Sequence, residues 1–203
     1  MGHDEKVTLQ DRWHLGSCTK AMTATLLARL VDAGKLQWTT TVAAGLPDLA
    51  AAMHEAARPI TLTQLLTHRS GLPGAPPDDL WDELHHWTGT TRAAREAVAR
   101  RLLASAPEAA PGARFLYSNA GYMLAGAVAE HAADANWEEL MRRELFTPLG
   151  ITTAGFGMPG DEKGTTQPWG HHVGAHGPEA LFADNPAALG PAGTVHMSLR
   201  DWA

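Results

Sequence analysis

The chain has 203 residues, 44% of them hydrophobic and 19% charged, so it holds enough apolar material to bury a core in one domain or two small ones, and disorder is excluded for most of it. A formal net charge of −6, with no basic stripe, argues against a nucleic-acid partner held through its phosphates. A single cysteine, Cys18, excludes an internal disulfide framework and a Cys-rich zinc site, and no apolar run approaches the length of a membrane span.

The opening, MGHDEKVTLQDRWHLG, lacks the apolar stretch of a signal peptide, so the chain as written reads as cytoplasmic; a missing front end would look the same. Val7, Leu9, Trp13 and Leu15 fit a short strand or an extended entry. Met22, Leu26, Leu27, Leu30 and Val31 then recur at helical spacing, and Gly34 is a fitting stop, which predicts a helix from about Ser17 to Ala33. Leu36 to Leu49 reads as an irregular linker broken by Gly45 and Pro47. Thr61 followed by Gln64 has the pattern of a capping box and predicts a short helix that stops before Gly71. GLPGAPPDD is a loop on composition. Helices are expected over 79–87 and 91–105, with Pro111 and Gly112 breaking the second. A further helix runs from about Asn119 to Ala133. Asn136 can cap another that turns Trp137, Leu140, Met141 and Leu145 inward and ends near Pro148 and Gly150. From Gly155 to Pro191 glycine, proline and histidine dominate, which predicts loops with one or two short strands around Ala154–Phe156 and Trp169–Val173. Ser198 can cap a last helix beginning SLRDWA.

Two groups of residues could carry chemistry. In Ser17-Cys18-Thr19-Lys20, positions i and i+3 share a helix face, which brings the Lys20 amine within reach of the Ser17 hydroxyl. Serine becomes a useful nucleophile when a base takes its proton, and lysine can be that base when burial or a neighbouring cation lowers its pKa. Gly16 sets Ser17 at a helix N-terminus, where free N–H groups favour a developing oxyanion. The plain alternative is an ordinary capped helix with an exposed lysine. In Tyr117-Ser118-Asn119, a phenol just before a helix can shuttle a proton, and the Asn119 amide can meet a substrate carbonyl or the lysine. The alternative there is a core tyrosine and an asparagine that serves only as an N-cap.

Together these residues resemble the Ser-x-x-Lys and Tyr-x-Asn motifs of serine hydrolases of the class C β-lactamase and penicillin-binding-protein type, in their esterase and D-alanyl-D-alanine carboxypeptidase-like branch. HLGSCTKAMTATLLARLVDAGKLQW is similar to that family's nucleophile helix, ITLTQLLTHRSGLPG to the segment after it, and PGARFLYSNAGYMLAGAVAE to the second-motif region. LFTPLGITTAGF and GPAGTVHMSLRDWA follow in the family's order, so the likeness runs from about residue 7 to the end. It implies an α+β, mostly α, β-lactamase/transpeptidase-like fold over 1–203, a helical lobe carrying the nucleophile helix. It implies a serine hydrolase that forms an acyl-enzyme with a small ester, D-amino-acid amide or β-lactam and needs no cofactor. Ser17 would be the acylated nucleophile and its backbone N–H half of the oxyanion hole. Lys20 would be the activating base, Tyr117 the proton carrier to the leaving group and from the deacylating water, and Asn119 a substrate-binding group that also orders the lysine.

The family's third motif, Lys-Thr-Gly or His-x-Gly, does not occur after the GPAG block, and His176-Gly177 lies upstream of it. The expectation is therefore a single partial domain with most of the sheet missing. Its alternative function is a catalytically incompetent fragment or a penicillin-recognising remnant that binds or oligomerises, through exposed apolar surface, without turnover. The histidine pairs His85-His86 and His171-His172 point to different sides of their elements, so no metal site is expected. His68 in LLTHRSGL reads as a turn residue, Cys18 as small packing, and Trp87 and Trp169 as candidate cleft walls.

Overall fold

The computed structural model describes residues 6–162 and 166–203. After strand β1 (Arg12–His14) a 3₁₀ turn over Gly16–Cys18 leads into helix α1 (Thr19–Asp32). Met22, Leu26, Leu27 and Leu30 are buried along one face of α1, and Gly34 leaves the helix at φ +71°. The segment expected to be an irregular linker is more ordered than that. Thr41 accepts from the Ala44 N–H and caps helix α2 (Val42–Gly45), and a 3₁₀ segment follows over Pro47–Ala52. A threonine cap ahead of only four helical residues leaves no periodicity to read.

The capping box at Thr61 is present in both halves: Gln64 N–H to Thr61 Oγ1 at 3.2 Å and Thr61 N–H to Gln64 Oε1 at 2.9 Å. It starts helix α3 (Leu62–Leu66). Helices α4 (Asp78–His85), α5 (Thr91–Leu103) and α6 (Asn119–Ala133) lie where their periodicity puts them. Asn136 begins α7 (Trp137–Met141), with the Glu139 carboxylate reaching back to the Asn136 N–H at 3.2 Å. The chain then widens into a π-helical turn over Arg142–Phe146, runs through α8 (Thr147–Leu149) and leaves at Gly150 in the left-handed region.

The strands β2 (Gly155–Phe156) and β3 (Gly170–Gly174) match expectation, whereas β4 (Gly177–Leu181) and β5 (Val195–Ser198) lie outside the expected strands. β5 is the middle of a three-stranded antiparallel sheet, ordered β1-β5-β2, with Trp13 opposite Met197 and Phe156 opposite Val195. All four of its residues are buried. Val195, His196, Met197 and Ser198 do alternate apolar and polar, but four residues are too short a run to stand out as a strand. β3 and β4 form a separate, mostly exposed hairpin. Ser198 caps the final helix α10 (Leu199–Trp202), accepting from Asp201 N–H. Among the described residues no helix is long and apolar enough to cross a membrane.

α6 is the central element. Every residue from Ala120 to Glu130 is buried, and α6 packs on α1, α3, α5 and α7 and on helix α9 (Gly190–Gly193). Its small residues permit close approach: a Cβ at Gly126 would overlap the Pro191 ring. One ionic cluster ties the surrounding helices together. The fully buried Arg95 guanidinium forks onto Glu130 (Nη2–Oε1 2.6 Å, Nε–Oε2 3.1 Å) and onto Glu138 (Nη2–Oε2 2.9 Å, Nη1–Oε1 3.1 Å). It also donates to Thr91 Oγ1 and to the Ala187 carbonyl. Burial alone would lower the Arg95 pKa, but hydrogen bonds and charge from Glu130 and Glu138 outweigh it and raise it. The planar five-donor fork fills this site in a way an ammonium could not.

Replacing Arg95 with alanine leaves the buried Glu130 carboxylate without its cation. A loss of about 3–5 kcal/mol of unfolding free energy is expected from that imbalance, measured by urea denaturation of the variant and the parent protein.

Candidate active site

The sequence places Ser17, Lys20, Tyr117 and Asn119 on two segments a hundred residues apart; the fold brings all four together. Gly16, at φ +50°, turns the chain from β1 into the 3₁₀ turn, so Ser17 stands exposed one turn ahead of the buried Lys20. Ser17 Oγ lies 2.8 Å from Tyr117 Oη and receives a hydrogen bond from Lys20 Nζ at 3.0 Å. The Ser17 side chain therefore faces the neighbouring side chains and does not cap α1, whose N-cap position is Cys18 with no side-chain hydrogen bond. Cys18 itself is free and exposed, not packed as the sequence suggests.

The Lys20 amine is surrounded by acceptors. Besides Ser17 it donates to Asn119 Oδ1 at 2.8 Å and to the Ala192 carbonyl at 2.7 Å, and it lies 4.9 Å from the Tyr117 ring centroid. An ammonium has three N–H donors, and here three oxygens take them. With the proton removed, the two fixed acceptors, Asn119 and Ala192, still hold two N–H bonds and aim the remaining lone pair at Ser17. The Ala192 carbonyl belongs to α9, and the neighbouring Pro191 carbonyl accepts from Thr23 Oγ1 at 2.8 Å, so α9 is fastened to α1 at two successive peptides. Thr19 Oγ1 accepts from the Val195 N–H at 3.1 Å, linking the same helix to β5.

Asn119 is free to meet the lysine because Ser118, not Asn119, is the N-cap of α6. Ser118 Oγ accepts from Gly121 N–H at 2.8 Å and donates to the Pro73 carbonyl. Tyr117 is nearly half exposed, which departs from the core-tyrosine alternative; Tyr122, whose hydroxyl donates to the Leu66 carbonyl at 2.9 Å, occupies that place. Burial pulls the Tyr117 pKa upward, but hydrogen bonding to Lys20 and Ser17 and the lysine charge together bring it below the ordinary value. Burial raises the Tyr122 pKa, with a further push from a Tyr117 phenolate.

Of the other residues singled out, His176, Trp169 and Trp87 lie elsewhere. His176 is in the turn of the exposed β3–β4 hairpin, where His172 pairs with Glu179 at 3.4 Å. Trp169 packs on Phe182, and Trp87 donates its indole N–H to the Thr90 carbonyl. The sequence reading did not find the Ala192 carbonyl, since a backbone acceptor has no side-chain signature, nor the Ser118 cap, although a serine directly before the helix was a usable signal.

The β-lactamase family model matches residues 1–203, and the chain belongs to the β-lactamase family. Over 148 residues it is 35% identical to penicillin-binding protein 4 of Amycolatopsis lactamdurans, covering 71% of this chain and 36% of that protein. It is 27% identical over 150 residues to the D-alanyl-D-alanine-carboxypeptidase/endopeptidase AmpH of Escherichia coli strain K12, covering 74% of this chain and 38% of the relative. The solved structure of a D-stereospecific amidohydrolase from a Streptomyces species superposes with a TM-score of 0.74 at 25% identity, over 95% of this chain and 58% of the other. The chain thus spans well under half the length of the two curated relatives.

With two tyrosines in the sequence, titration should resolve two tyrosinate steps. The lower, Tyr117, falls below the ordinary value near 10.0 and the higher, Tyr122, above it. Ultraviolet absorbance against pH reads both. Tyr117→Phe should delete the lower step, and Lys20→Met, which removes the cation and its hydrogen bond and leaves burial opposed only by the Ser17 bond, should move it upward.

Proposed function

We propose that the protein is a serine hydrolase that works through an acyl-enzyme on Ser17, with small esters, D-amino-acid amides or β-lactams as substrates. The observation that carries this reading is an exposed Ser17 hydroxyl hydrogen-bonded to both a buried Lys20 amine at 3.0 Å and a Tyr117 phenol at 2.8 Å. The membership of the β-lactamase family and the carboxypeptidase and amidohydrolase relatives support the choice of substrates.

In this reading Lys20, held by Asn119 and Ala192, takes the Ser17 proton as the oxygen attacks the substrate carbonyl carbon. Ser17 lies in the 3₁₀ turn ahead of α1, and its backbone N–H would stabilise the oxyanion. The proton passes through the hydrogen-bonded group to Tyr117 and on to the departing amine or alkoxide. Water then attacks the acyl-enzyme carbonyl, giving its proton to the Tyr117 oxygen, and Ser17 leaves with a proton returned by the same route. A phenol whose pKa is lowered toward the working range suits both directions of transfer.

The test is intact-protein mass after exposure to a β-lactam and, separately, to an activated short-chain ester. One acyl group should add to the parent protein and none to Ser17→Ala. Lys20→Ala should slow the addition by about 10²–10⁴-fold, the range for loss of a positioned general base. The faster reagent identifies the substrate class, and an adduct that never leaves would assign recognition without turnover. A folded parent protein that takes no acyl group from either reagent refutes the hydrolase reading.

A further inference from the structure

We propose that His68 is the positioning residue for Tyr117: it holds the 115–118 segment so that the phenol meets Ser17 and Lys20, a role that rests on the hydrolase reading of that group. His68 follows α3 at φ +57°, one of two non-glycine residues with positive φ among the described residues. The left-handed region is costly for a residue with a Cβ, and a histidine there implies that its side chain contributes something a glycine would not. Two side-chain contacts supply it, and a backbone bond that glycine would keep adds to the hold. The imidazole stacks on the Tyr117 ring at 4.4 Å between centroids and 29° between planes. Its Nδ1 accepts the Ser118 N–H at 3.0 Å, and its carbonyl accepts the Leu116 N–H at 2.8 Å. His68 thus grips the residue before Tyr117, the residue after it and the ring between them. Phe115 meets the imidazole edge-on at 5.5 Å, and the Tyr122 ring lies behind it at 5.3 Å.

An acceptor at Nδ1 requires the neutral ring with its proton on Nε2. Burial, then the nearby Lys20 charge, lowers the His68 pKa and favours that form. Lys20, Tyr117 and Tyr122 are the titratable groups that face it. Glycine adopts φ +57° freely and asparagine tolerates it, so both substitutions keep the backbone while changing the grip. Glycine removes stack and acceptor. Asparagine removes the stack but offers Oδ1 at the same remove from Cα as Nδ1.

The experiment reads the tyrosinate titration of His68→Gly and His68→Asn, together with the rate constant for Ser17 acylation by an activated ester, separated from ester binding. The Tyr117 step should rise toward the ordinary phenol value, further in the glycine variant than in the asparagine one. The acylation constant should fall in the same order, by about 10²-fold for glycine, the scale of a displacement of about 1 Å at a reacting group, with ester binding little changed. Circular dichroism identifies folded samples; if the glycine variant does not fold, the asparagine variant decides by the same two readings. A Tyr117 step that stays in place in the folded variants overturns the proposal. If the step moves but the parent protein takes no acyl group, the hydrolase reading falls and the hold of His68 on Tyr117 stands.

Discussion

A buried ammonium must have its donors satisfied, and in this chain that requirement falls on Lys20. Desolvating a charge is costly unless hydrogen bonds replace the lost water, and Lys20 has three oxygens from three different parts of the chain. One comes from the 3₁₀ turn ahead of its own helix, one from the start of α6 and one from the short α9 turn. Each oxygen arrives only if its element is in place. α1, α6 and α9 are therefore held in a fixed relation by one amine, and the Ser17 hydroxyl is aligned by the same contacts.

The Arg95 cluster maintains that relation from the C-terminal half of α6. Arg95 bonds Glu130 on α6, Glu138 on α7 and the Ala187 carbonyl at the start of the turn that becomes α9. Moving five residues on from Ala187 reaches Ala192, whose carbonyl meets Lys20. Two buried cations thus fasten the two ends of one short segment. The second is a guanidinium because it must serve two carboxylates in one plane, and the first is an ammonium because its three acceptors surround it.

What the sequence made legible follows from the range of each signal. Helices α1, α5 and α6 are long enough for the 3.6-residue period to be read, and the Thr61 box declares itself within four residues. Ser17, Lys20, Tyr117 and Asn119 could be named because their side-chain types and spacing are visible in the sequence. β5 escaped because its four alternating residues are too short a run to stand out, and β4 because GPEAL contains no β-branched or aromatic residue and includes a proline. α2 and the π-helical turn are too short for any period. His68 could be read as a turn residue, but its grip on Tyr117 depends on a loop–loop contact across about fifty residues of chain, which no local pattern encodes. The Ala192 oxygen belongs to the backbone, and no residue type announces it.

The overlap that a Cβ at Gly126 would make with the Pro191 ring has a consequence for how this protein tolerates change. The clearance there sets the depth at which the 190–193 turn seats, and that depth sets the height of the neighbouring Ala192 carbonyl over the amine of Lys20. A single methyl group at position 126 would act as a shim, lifting the turn without touching Ser17, Lys20, Tyr117 or Asn119. The machining tolerance of the site is thus written into the core as an absent atom on the far side of a proline.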